Sequence, residues 1–177
     1  MTLLFAAPAL IFTWRFAPWV PTPKAELDRL LRCMDLDASQ SFCELGAGDG
    51  RLMVWVHRHT GARCTGLEVS PLMFLVGWVR VTLGRAGRVR FLDMYKADLS
   101  SYDVVYVWGT AYWVGTPEFR EYLGRTLKPG ARLVSYQQPL SDWTPDLVDR
   151  GGQRPIYVYN QPHDPPEVVH GRPVTTA

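Results

Sequence analysis

The chain has 177 residues, of which 47% are apolar and 20% are charged. This length suits one globular domain with a sizeable core and leaves no room for a separate substrate domain. The formal net charge is only +2 and the basic residues are scattered, which argues against a nucleic-acid-binding surface. Any substrate site must therefore be built from the loops of a single domain.

The first 19 residues form an apolar segment whose role the sequence leaves open. No charged residue occurs from Thr2 to Trp14, and Arg15 is the only charge before residue 24. The segment is too short to span a bilayer comfortably, since a spanning helix needs about 20 apolar residues. Three alternatives remain. It is an interfacial membrane anchor with Trp14, Arg15 and Trp19 at the headgroups, a helix packed on the domain, or an arm that contacts a partner.

From residue 20 onwards, the pattern alternates between strands and helices. Residues 20–23, Val-Pro-Thr-Pro, form a stiff extended segment because each proline fixes its own φ and restricts the residue before it. Helices are predicted at 24–34, 51–59, 71–85 and 117–127, and strands at 41–44, 62–69, 88–92, 102–108 and 131–136. A hairpin is predicted from 146–149 and 155–160, followed by a flexible tail at 161–177. We expect an α/β domain at 20–160 with a mostly parallel sheet and helices on both faces.

A glycine-rich turn follows the first strand. Residues 44–50 read Glu-Leu-Gly-Ala-Gly-Asp-Gly. Glycine can adopt backbone angles barred to other residues, and it leaves no side chain between the chain and a bound nucleoside. Glu44 suits the ammonium of a methionine moiety, and Glu68 ends the next strand, where a carboxylate can accept ribose hydroxyls. The pattern predicts a site for S-adenosylmethionine (SAM).

A third acid, Asp93, follows the predicted strand 88–92 at the place where the adenine would lie. Taken alone, it is better explained as a loop aspartate that caps a turn. With Glu44 and Glu68 in register, we expect its carboxylate to accept the adenine amine. The predicted cofactor-binding residues are Glu44, Gly46, Ala47, Gly48, Asp49, Gly50, Glu68, Val69, Asp93, Met94 and Trp108.

Dinucleotide binding is the main competing interpretation, because a glycine turn with an acid about 20 residues later is also the nicotinamide fingerprint. The glycine spacing argues against it. Arg51 stands where GxGxxG has its third glycine, which is needed for close packing of helix on strand. Glu44 would also repel a pyrophosphate.

The cysteines and histidines indicate neither disulfides nor a metal. Cys33, Cys43 and Cys64 are an odd number without a CxxC pair, so we expect reduced thiols and a cytoplasmic protein, with membrane association as an option. His57 and His59 could be drawn as metal ligands with Cys64. A helix end and a core thiol are the simpler interpretation, and we expect no metal.

At this point the chain resembles class I SAM-dependent methyltransferases. Their fold is a Rossmann-like seven-stranded sheet with a C-terminal antiparallel hairpin. More narrowly, residues 20–23, 44–51, 98–103, 127–134 and 143–145 resemble the small lysine methyltransferases of archaea and of mitochondria. The mitochondrial members act on the c-ring protein of ATP synthase and on the adenine nucleotide translocase. The similarity covers about residues 18–160.

The resemblance implies a protein substrate with an accessible lysine, in particular a membrane protein, and a membrane-targeting role for residues 2–20. The chain departs from the family at Glu44, where aspartate is usual, and at Ala47, where serine or cysteine is usual. Residues 111–116 have no match in the family pattern, and they lie where the substrate is expected.

Aromatic side chains follow the predicted fourth and fifth strands. They are Trp108, Tyr112, Trp113, Tyr136 and Trp143. Ligands bind at this edge of such sheets, and aromatic faces attract a cation while excluding water. We predict that Trp108, Tyr112 and Trp113 line the substrate channel, and we assign no general base. Core positions for Trp108 and Tyr136 are an equal alternative.

Other acceptors and roles remain open. Enzymes that methylate base amines usually carry an Asn/Asp-Pro-Pro-aromatic element after strand four, where this chain has Trp-Gly-Thr-Ala-Tyr at 108–112, so we expect no nucleic acid. A metal-assisted catechol type would need clustered acids beside the acceptor, and the sequence has none there. A small-molecule amine or a lipid-like substrate would suit the same aromatic pocket. A non-catalytic SAM-binding or assembly protein is the remaining alternative.

Overall fold

The computed structural model describes residues 20–160, and the predicted N-terminal segment and C-terminal tail lie outside the described residues. A seven-stranded sheet runs in the order β3-β2-β1-β4-β5-β7-β6. The strands are β1 (Ser41–Leu45), β2 (Arg63–Glu68), β3 (Gly87–Phe91), β4 (Val104–Trp108), β5 (Arg132–Tyr136), β6 (Leu147–Asp149) and β7 (Ile156–Asn160). The helices are α1 (Lys24–Met34), α2 (Arg51–Thr60), α3 (Pro71–Leu83), α4 (Ala111–Val114) and α5 (Pro117–Thr126), with a 3₁₀ turn at Met94–Lys96.

The first five strands are parallel, and the chain closes with the predicted antiparallel hairpin. β1 lies between β2 and β4, with Glu44 opposite Gly66 on one side and Tyr106 on the other. β7 inserts between β5 and β6 and is antiparallel to both. The predicted fold class, a mostly parallel Rossmann-like sheet, is confirmed. All five parallel strands therefore end at one edge, where a ligand site is expected.

The sheet has a core on each face. Alternation along β1 sends Phe42 to one core and Cys43 to the other, because successive side chains of a strand point to opposite faces. Helices α1, α2 and α3 cover the first face, and α5 covers the second. The central strands β1, β4 and β5 are buried on both sides, which explains their largely apolar sequences.

Helix ends follow local signals that the sequence carries. Gly50 (φ 71°) precedes α2 and Gly61 (φ 76°) follows it, and both adopt the left-handed conformation that favours glycine. The Thr116 side chain accepts a hydrogen bond from Phe119 N at the start of α5. α3 ends at Leu83, two residues earlier than predicted. Arg85 adopts a φ of 51°, which is incompatible with a right-handed helix.

A buried ionic network fastens the hairpin to α1. Arg29 pairs with Glu26 on its own helix, and its Nη1 donates to Asp149 Oδ1 at 3.0 Å. Glu26 Oε1 accepts from Gln153 N at 3.0 Å. The network fixes the loop before β7 against the helix that follows the 20–23 segment. No helix within residues 20–160 is long and apolar enough to cross a membrane.

Candidate active site

A cavity of about 750 Å³ opens at the carboxyl ends of the parallel strands. Its size is in the range of sites for drug-sized ligands and cofactors. One side is formed by the turn after β1 and the ends of β2 and β3; the other side is formed by the end of β4, the start of α4 and the loop after β5. We call the first side the donor side and the second the acceptor side.

The glycine turn forms the floor of the donor side. Gly46 (φ 77°) and Gly48 (φ 53°) both take left-handed angles, and the N–H groups of Gly46 and Ala47 each donate to Leu67 O at 2.9 Å. A Cβ on Gly46 would meet no atom within 4 Å, so that position faces open space. The turn therefore lets a ligand lie directly against the backbone.

Helix α3 packs on the back of this turn through Gly77, a glycine that no sequence pattern singled out. A Cβ at Gly77 would lie 2.6 Å from Gly48 O, closer than real Cβ atoms approach. Gly50 is equally crowded, since its Cβ would lie 2.7 Å from Val81 Cγ2. The close contact between a helix and the glycine turn is thus made by α3. The side chain of Arg51 does not obstruct this contact, because it is hydrogen-bonded to Asp49.

Glu44 is a buried acid at the centre of the donor side. Its Oε2 atom has no hydrogen-bond partner within residues 20–160. Burial, together with the negative charges of Asp49 and Glu68, raises the pKa of Glu44 well above its usual range. A buried carboxylate without a partner is costly unless a cation pairs with it. The site is therefore complementary to a positively charged group such as an amino-acid ammonium.

The carboxylate of Glu68 is already partly occupied by the backbone. Its Oε2 accepts from Gly48 N at 2.8 Å, and its Oε1 accepts from Val69 N at 2.8 Å and from Ser70 N at 2.7 Å. A carboxylate has about four lone-pair sites, so about one remains. Glu68 joins the glycine turn to the end of β2 and can accept one ribose hydroxyl without breaking these bonds.

The side chain of Asp49, which also lines the cavity, forms ion pairs with two arginines. Its carboxylate is bonded to Arg51, with Nη2 to Oδ2 at 2.8 Å, and to Arg80 of α3. Burial opposes ionisation, but the two arginines hold the pKa of Asp49 below its ordinary value. The side chain of Asp49 thus ties α2 to α3, and its contact with a cofactor stays a prediction.

Asp93 and Met94 lie on the cavity wall beyond β3, and Val69 lies beside Glu68. Asp93 Oδ1 accepts from Tyr95 N at 3.1 Å and so caps the 3₁₀ turn. Both interpretations of Asp93 therefore coexist, since it caps a turn and also faces the cavity. Its contact with an adenine, like the cofactor roles of the other residues, stays a prediction.

The acceptor side is centred on Trp108. The indole Nε1 donates to Gln137 Oε1 at 3.2 Å, and the ring packs edge-on against Tyr136 with centroids 5.0 Å apart. Gln137 is not a glycine, yet it has a φ of 79°. Such strained angles cost about 1–3 kcal/mol and concentrate at functional sites. Trp108 is thus fixed in orientation by a residue that no sequence pattern selects.

Residues 111–114 form the short helix α4, where a loop was predicted. Trp113 reaches the cavity, and its ring lies across Gly109, whose added Cβ would be 2.0 Å from the ring. Phe119 supports the other side of the ring at a centroid distance of 5.0 Å. Tyr112 is 93% exposed and is not part of the cavity lining. Neighbouring residues on a helix point about 100° apart, so only one of the two can face the cavity.

Two further aromatic residues expected near the channel are core residues instead. Tyr136 is fully buried among the side chains of the α1–α3 face, and Trp143 is buried on the other face against Tyr159. Tyr106 also lines the cavity from beneath, and its hydroxyl has no hydrogen-bond partner within residues 20–160. Burial raises the pKa of Tyr106 well above its usual range, partly offset by the nearby Thr22 hydroxyl.

Several cavity residues that sequence reasoning missed come from distant parts of the chain. Val20, Pro21 and Thr22 line the cavity, although the segment was interpreted only as a stiff connection. Gln137 reaches it from the loop after β5, and Arg154 reaches it from the loop that joins β6 to β7. The Pro-Thr-Pro pattern was the only available signal, because nothing in the local sequence around the other two marks a ligand site.

Comparison with known proteins agrees with this geometry. A family model described as the ANTKMT methyltransferase domain matches residues 44–147. The chain is similar to the Mus musculus lysine N-methyltransferase of the ATP synthase c-ring protein, with 25% identity over 148 residues, covering 81% of this chain and 58% of that protein. It is also similar to a protein-lysine N-methyltransferase of Saccharolobus islandicus (strain REY15A), with 25% identity over 153 residues, covering 80% of this chain and 92% of that protein. The chain thus spans less than two thirds of the mouse relative.

A solved structure has the same fold over most of the chain. It is described as an RNA methyltransferase from Salinibacter ruber in complex with S-adenosyl-L-homocysteine, and it is 29% identical. The match covers 84% of this chain and 97% of that chain, with a TM-score of 0.78. S-adenosyl-L-homocysteine is what SAM becomes when its methyl group has left, so that relative binds the cofactor predicted here.

Proposed function

The chain belongs to the ANTKMT methyltransferase domain family and uses S-adenosylmethionine as its cofactor, and we therefore propose that it methylates the side-chain amine of a protein lysine. The observation that carries the proposal is the buried carboxyl of Glu44, whose Oε2 atom has no hydrogen-bond partner within residues 20–160, in the lining of a cavity large enough for the cofactor. When bound, SAM supplies a methyl group already activated by its sulfonium. The protein's main task is then to bind and orient the two reactants.

The donor side fits SAM group by group. Glu44 is placed to pair with the ammonium of the methionine part, which would relieve the cost of burying its charge. Glu68 keeps about one lone-pair site for a ribose hydroxyl, and Asp93 lies further along the same wall. The glycine turn allows close backbone contact in between.

The acceptor side would hold a lysine between aromatic surfaces. Trp108 and Trp113 are both held in place by neighbours, so they exclude water without having to reorganise. Aromatic faces attract an ammonium by about 0.5–2 kcal/mol, which would draw the substrate side chain in. Tyr112 contributes nothing to this surface in the geometry described.

The amine must lose its proton before it can accept a methyl group. A lysine with a pKa of about 10.4 is only about one part in a thousand neutral near pH 7.4. Transfer into a cavity walled by Trp108 and Trp113 disfavours the charged form and lowers that pKa. We assign no general base, and the proton is expected to leave through solvent at the cavity mouth.

A protein lysine, rather than another amine, is favoured by the relatives, which are named lysine N-methyltransferases. Two observations support a membrane protein as the substrate: the apolar residues 1–19 and the ATP synthase component for which the mouse relative is named. The enzyme itself would then act in the cytoplasm, at the membrane surface. Residues 20–160 would constitute the catalytic domain, with residues 1–19 as the membrane-directed segment.

The test is to incubate the purified full chain with methyl-labelled SAM and the separated soluble, membrane and RNA fractions of its host. Labelled proteins are then mapped by mass spectrometry. Glu44→Gln serves as the impaired variant, and Glu121→Gln, an exposed acid on α5, serves as its matched control. A labelled lysine that depends on Glu44 supports the proposal.

Other outcomes assign a different function. Label only in RNA would favour the activity named for the Salinibacter ruber relative. Label only in small molecules or lipids would replace lysine by another amine or a lipid-like acceptor. No label anywhere, with SAM bound normally, would indicate a non-catalytic SAM-binding protein.

A further inference from the structure

The hydroxyl of Tyr106 is a second buried polar group in the cavity wall. Tyr106 is 1% exposed and lines the cavity, and its Oη atom has no hydrogen-bond partner within residues 20–160. The side chain of Thr22, also buried, lies close enough to influence the pKa of this hydroxyl. A buried hydroxyl that is left unpaired is costly, and most such groups in proteins have a partner. The Oη atom therefore indicates a polar group on the ligand that fills the cavity.

Tyr106 and Glu44 are direct neighbours in the sheet. They are register partners on the parallel strands β4 and β1, and neighbouring strands lie about 4.8 Å apart. Glu44 lies two residues after Phe42, whose side chain packs in the same core as Tyr106, so both cavity residues point to one face of the sheet. The ligand group that meets Tyr106 is therefore adjacent to the group that meets Glu44.

The predicted contacts of SAM give the cofactor a direction along the strand ends. Asp93 follows β3, Glu68 ends β2 and Glu44 lies in β1, so adenine, ribose and ammonium would follow one another towards β4. In the methionine part of SAM, the ammonium and the carboxylate are attached to the same carbon atom. The carboxylate is therefore expected beside Glu44 on the side of β4, where Tyr106 lies.

The glycine turn is a poor site for this carboxylate. The N–H groups of four turn residues already donate to protein oxygen atoms: Gly46, Ala47, Gly48 and Gly50. A carboxylate at the turn would also lie beside the acids Glu44 and Glu68, and like charges repel. The carboxylate needs hydrogen-bond donors and positive charge from another part of the cavity wall.

Arg154 supplies positive charge in that part of the wall. Its loop is fixed, because Arg29 Nη2 donates to Arg154 O. Burial raises the pKa of Tyr136, and the nearby charge of Arg154 opposes that rise. The salt bridges within the described part of the chain include none from the Arg154 side chain. Of the other cations in the cavity lining, Arg51 is already paired and Lys96 lies beyond β3, at the opposite end.

We infer that the Tyr106 hydroxyl donates a hydrogen bond to the carboxylate of the methionine part of SAM, and that Arg154 is the counter-charge of this carboxylate. Hydrogen bonds to ionised groups are stronger than those between neutral groups. Together with Glu44, both residues would fix the amino-acid part and so position the sulfonium that carries the methyl group. The inference rests on SAM as the cofactor and not on lysine as the acceptor.

The test measures the binding of three ligands to the full chain by calorimetry. They are SAM, decarboxylated SAM, which lacks the carboxylate, and 5′-methylthioadenosine, which lacks the whole amino-acid part. The variants are Tyr106→Phe and Arg154→Gln. Tyr102→Phe is the control for the first, because Tyr102 is buried in the core on the other face of the sheet, away from the cavity lining. Arg150→Gln, at an exposed position in the same loop as Arg154 but outside the lining, is the control for the second.

The losses should be specific to the ligand that has a carboxylate. Tyr106→Phe is expected to weaken SAM binding by about tenfold or more, and binding of the other two ligands by less than about twofold. Arg154→Gln should weaken SAM binding by about threefold, because the residue is exposed, and by less at high salt. Both controls should bind all three ligands within about twofold of the natural chain. Ligand-free Tyr106→Phe should unfold at no lower temperature, since Oη forms no hydrogen bond within residues 20–160.

Three results would overturn the inference. Equal losses of SAM and decarboxylated SAM affinity in Tyr106→Phe would assign the hydroxyl to the ammonium. Equal losses for all three ligands would make Tyr106 a structural residue only. Normal SAM binding by either Tyr106→Phe or Arg154→Gln would remove the proposed carboxylate site. The proposed lysine methylation fails independently, because it depends on label appearing in protein and not on these affinities.

Discussion

The two sides of the cavity are built on different principles. The donor side is made of backbone and buried acids contributed by β1, β2 and the short turns that follow them, and its key contacts lie within about 50 residues of sequence. The acceptor side is made of the rings of Trp108 and Trp113, which are held by Gln137 after β5 and by Phe119 of α5. The donor side is therefore a local motif, whereas the acceptor side is a product of the assembled sheet. The difference explains how one family can keep its cofactor while changing its substrate.

The largest expected effect is on the donor side. Glu44→Gln keeps the size of the side chain but removes the charge that faces the cavity. SAM affinity should fall at least about 30-fold, because loss of one partner of a buried charge pair costs about 2 kcal/mol or more. Ligand-free protein should be no less stable to urea, since the amide cannot carry the negative charge that is costly to bury at this position. Calorimetry and urea unfolding measure the two effects, with Glu121→Gln as control. An unchanged affinity would mean that the donor side does not depend on this acid.

Glu68→Ala is expected to have the next largest effect. SAM binding should weaken at least about tenfold, because the variant removes a ribose acceptor and releases three backbone N–H groups that shape the turn. Unlike Glu44→Gln, this variant should also be less stable without ligand. Calorimetry and thermal unfolding distinguish the two acids. If Glu68→Ala binds SAM normally, the ribose assignment is wrong.

On the acceptor side, turnover should change while cofactor binding does not. Trp113→Ala is expected to lower kcat by about tenfold, a loss of about 1.4 kcal/mol in the transition state, with the SAM dissociation constant within about twofold. Tyr112→Ala is the matched control, because that neighbouring ring points into solvent. Gly109→Ala should mimic Trp113→Ala by displacing the ring without removing it. Equal effects of Tyr112→Ala and Trp113→Ala would contradict the geometry described.

The smallest effect is a pH dependence that only the donor side should show. The pKa of Glu44 is raised from an ordinary value near 4.5, so the folded, ligand-free protein binds a proton that the unfolded chain releases. Stability from this group is complete below about pH 4.5 and is lost as pH rises through the folded-state pKa. Relative to Glu44→Gln, the protein should lose stability to urea as the pH rises above about 4.5.

SAM affinity should rise over the same pH interval, because the carboxylate must be ionised to pair with an ammonium. Calorimetry at several pH values tests this, again with Glu44→Gln as the reference. If the differences in stability and in SAM affinity between the two proteins do not vary with pH, Glu44 does not change its protonation state over the pH range measured.

The order of strands and helices could be predicted from the sequence because its determinants are local. The bounds of α1 match the prediction, since Pro23 ends the extended segment and apolar residues at helical spacing begin after it. The glycine turn, Glu44, Glu68 and Asp93 could be selected for the same reason, as each lies within two residues of the end of a strand. For these features, the periodicity of apolar residues and the positions of the strand ends were sufficient for a prediction.

Residues placed by long-range contacts could not be selected in this way. Gln137 reaches Trp108 only because β4 and β5 are neighbours in the sheet, and Arg154 reaches the cavity only because the Arg29 network holds the loop before β7. The side chain of Tyr112 points into solvent because residues 111–114 form the helix α4. A helix of four residues is too short to be recognised from the periodicity of the sequence. The role of Gly77 depends on how closely α3 approaches the turn.

The three cysteines of the chain have a practical consequence. All are buried, and burial raises the pKa of Cys33 to about 11 and that of Cys64 to about 12, while it also raises the pKa of Cys43. Thiolates, the reactive form, are therefore scarce and shielded at neutral pH. The three native cysteines should therefore react only slowly with maleimides. A single new cysteine, for example Tyr112→Cys, could then carry a fluorescent or spin label that reports on the cavity mouth, with no native thiol to be removed first.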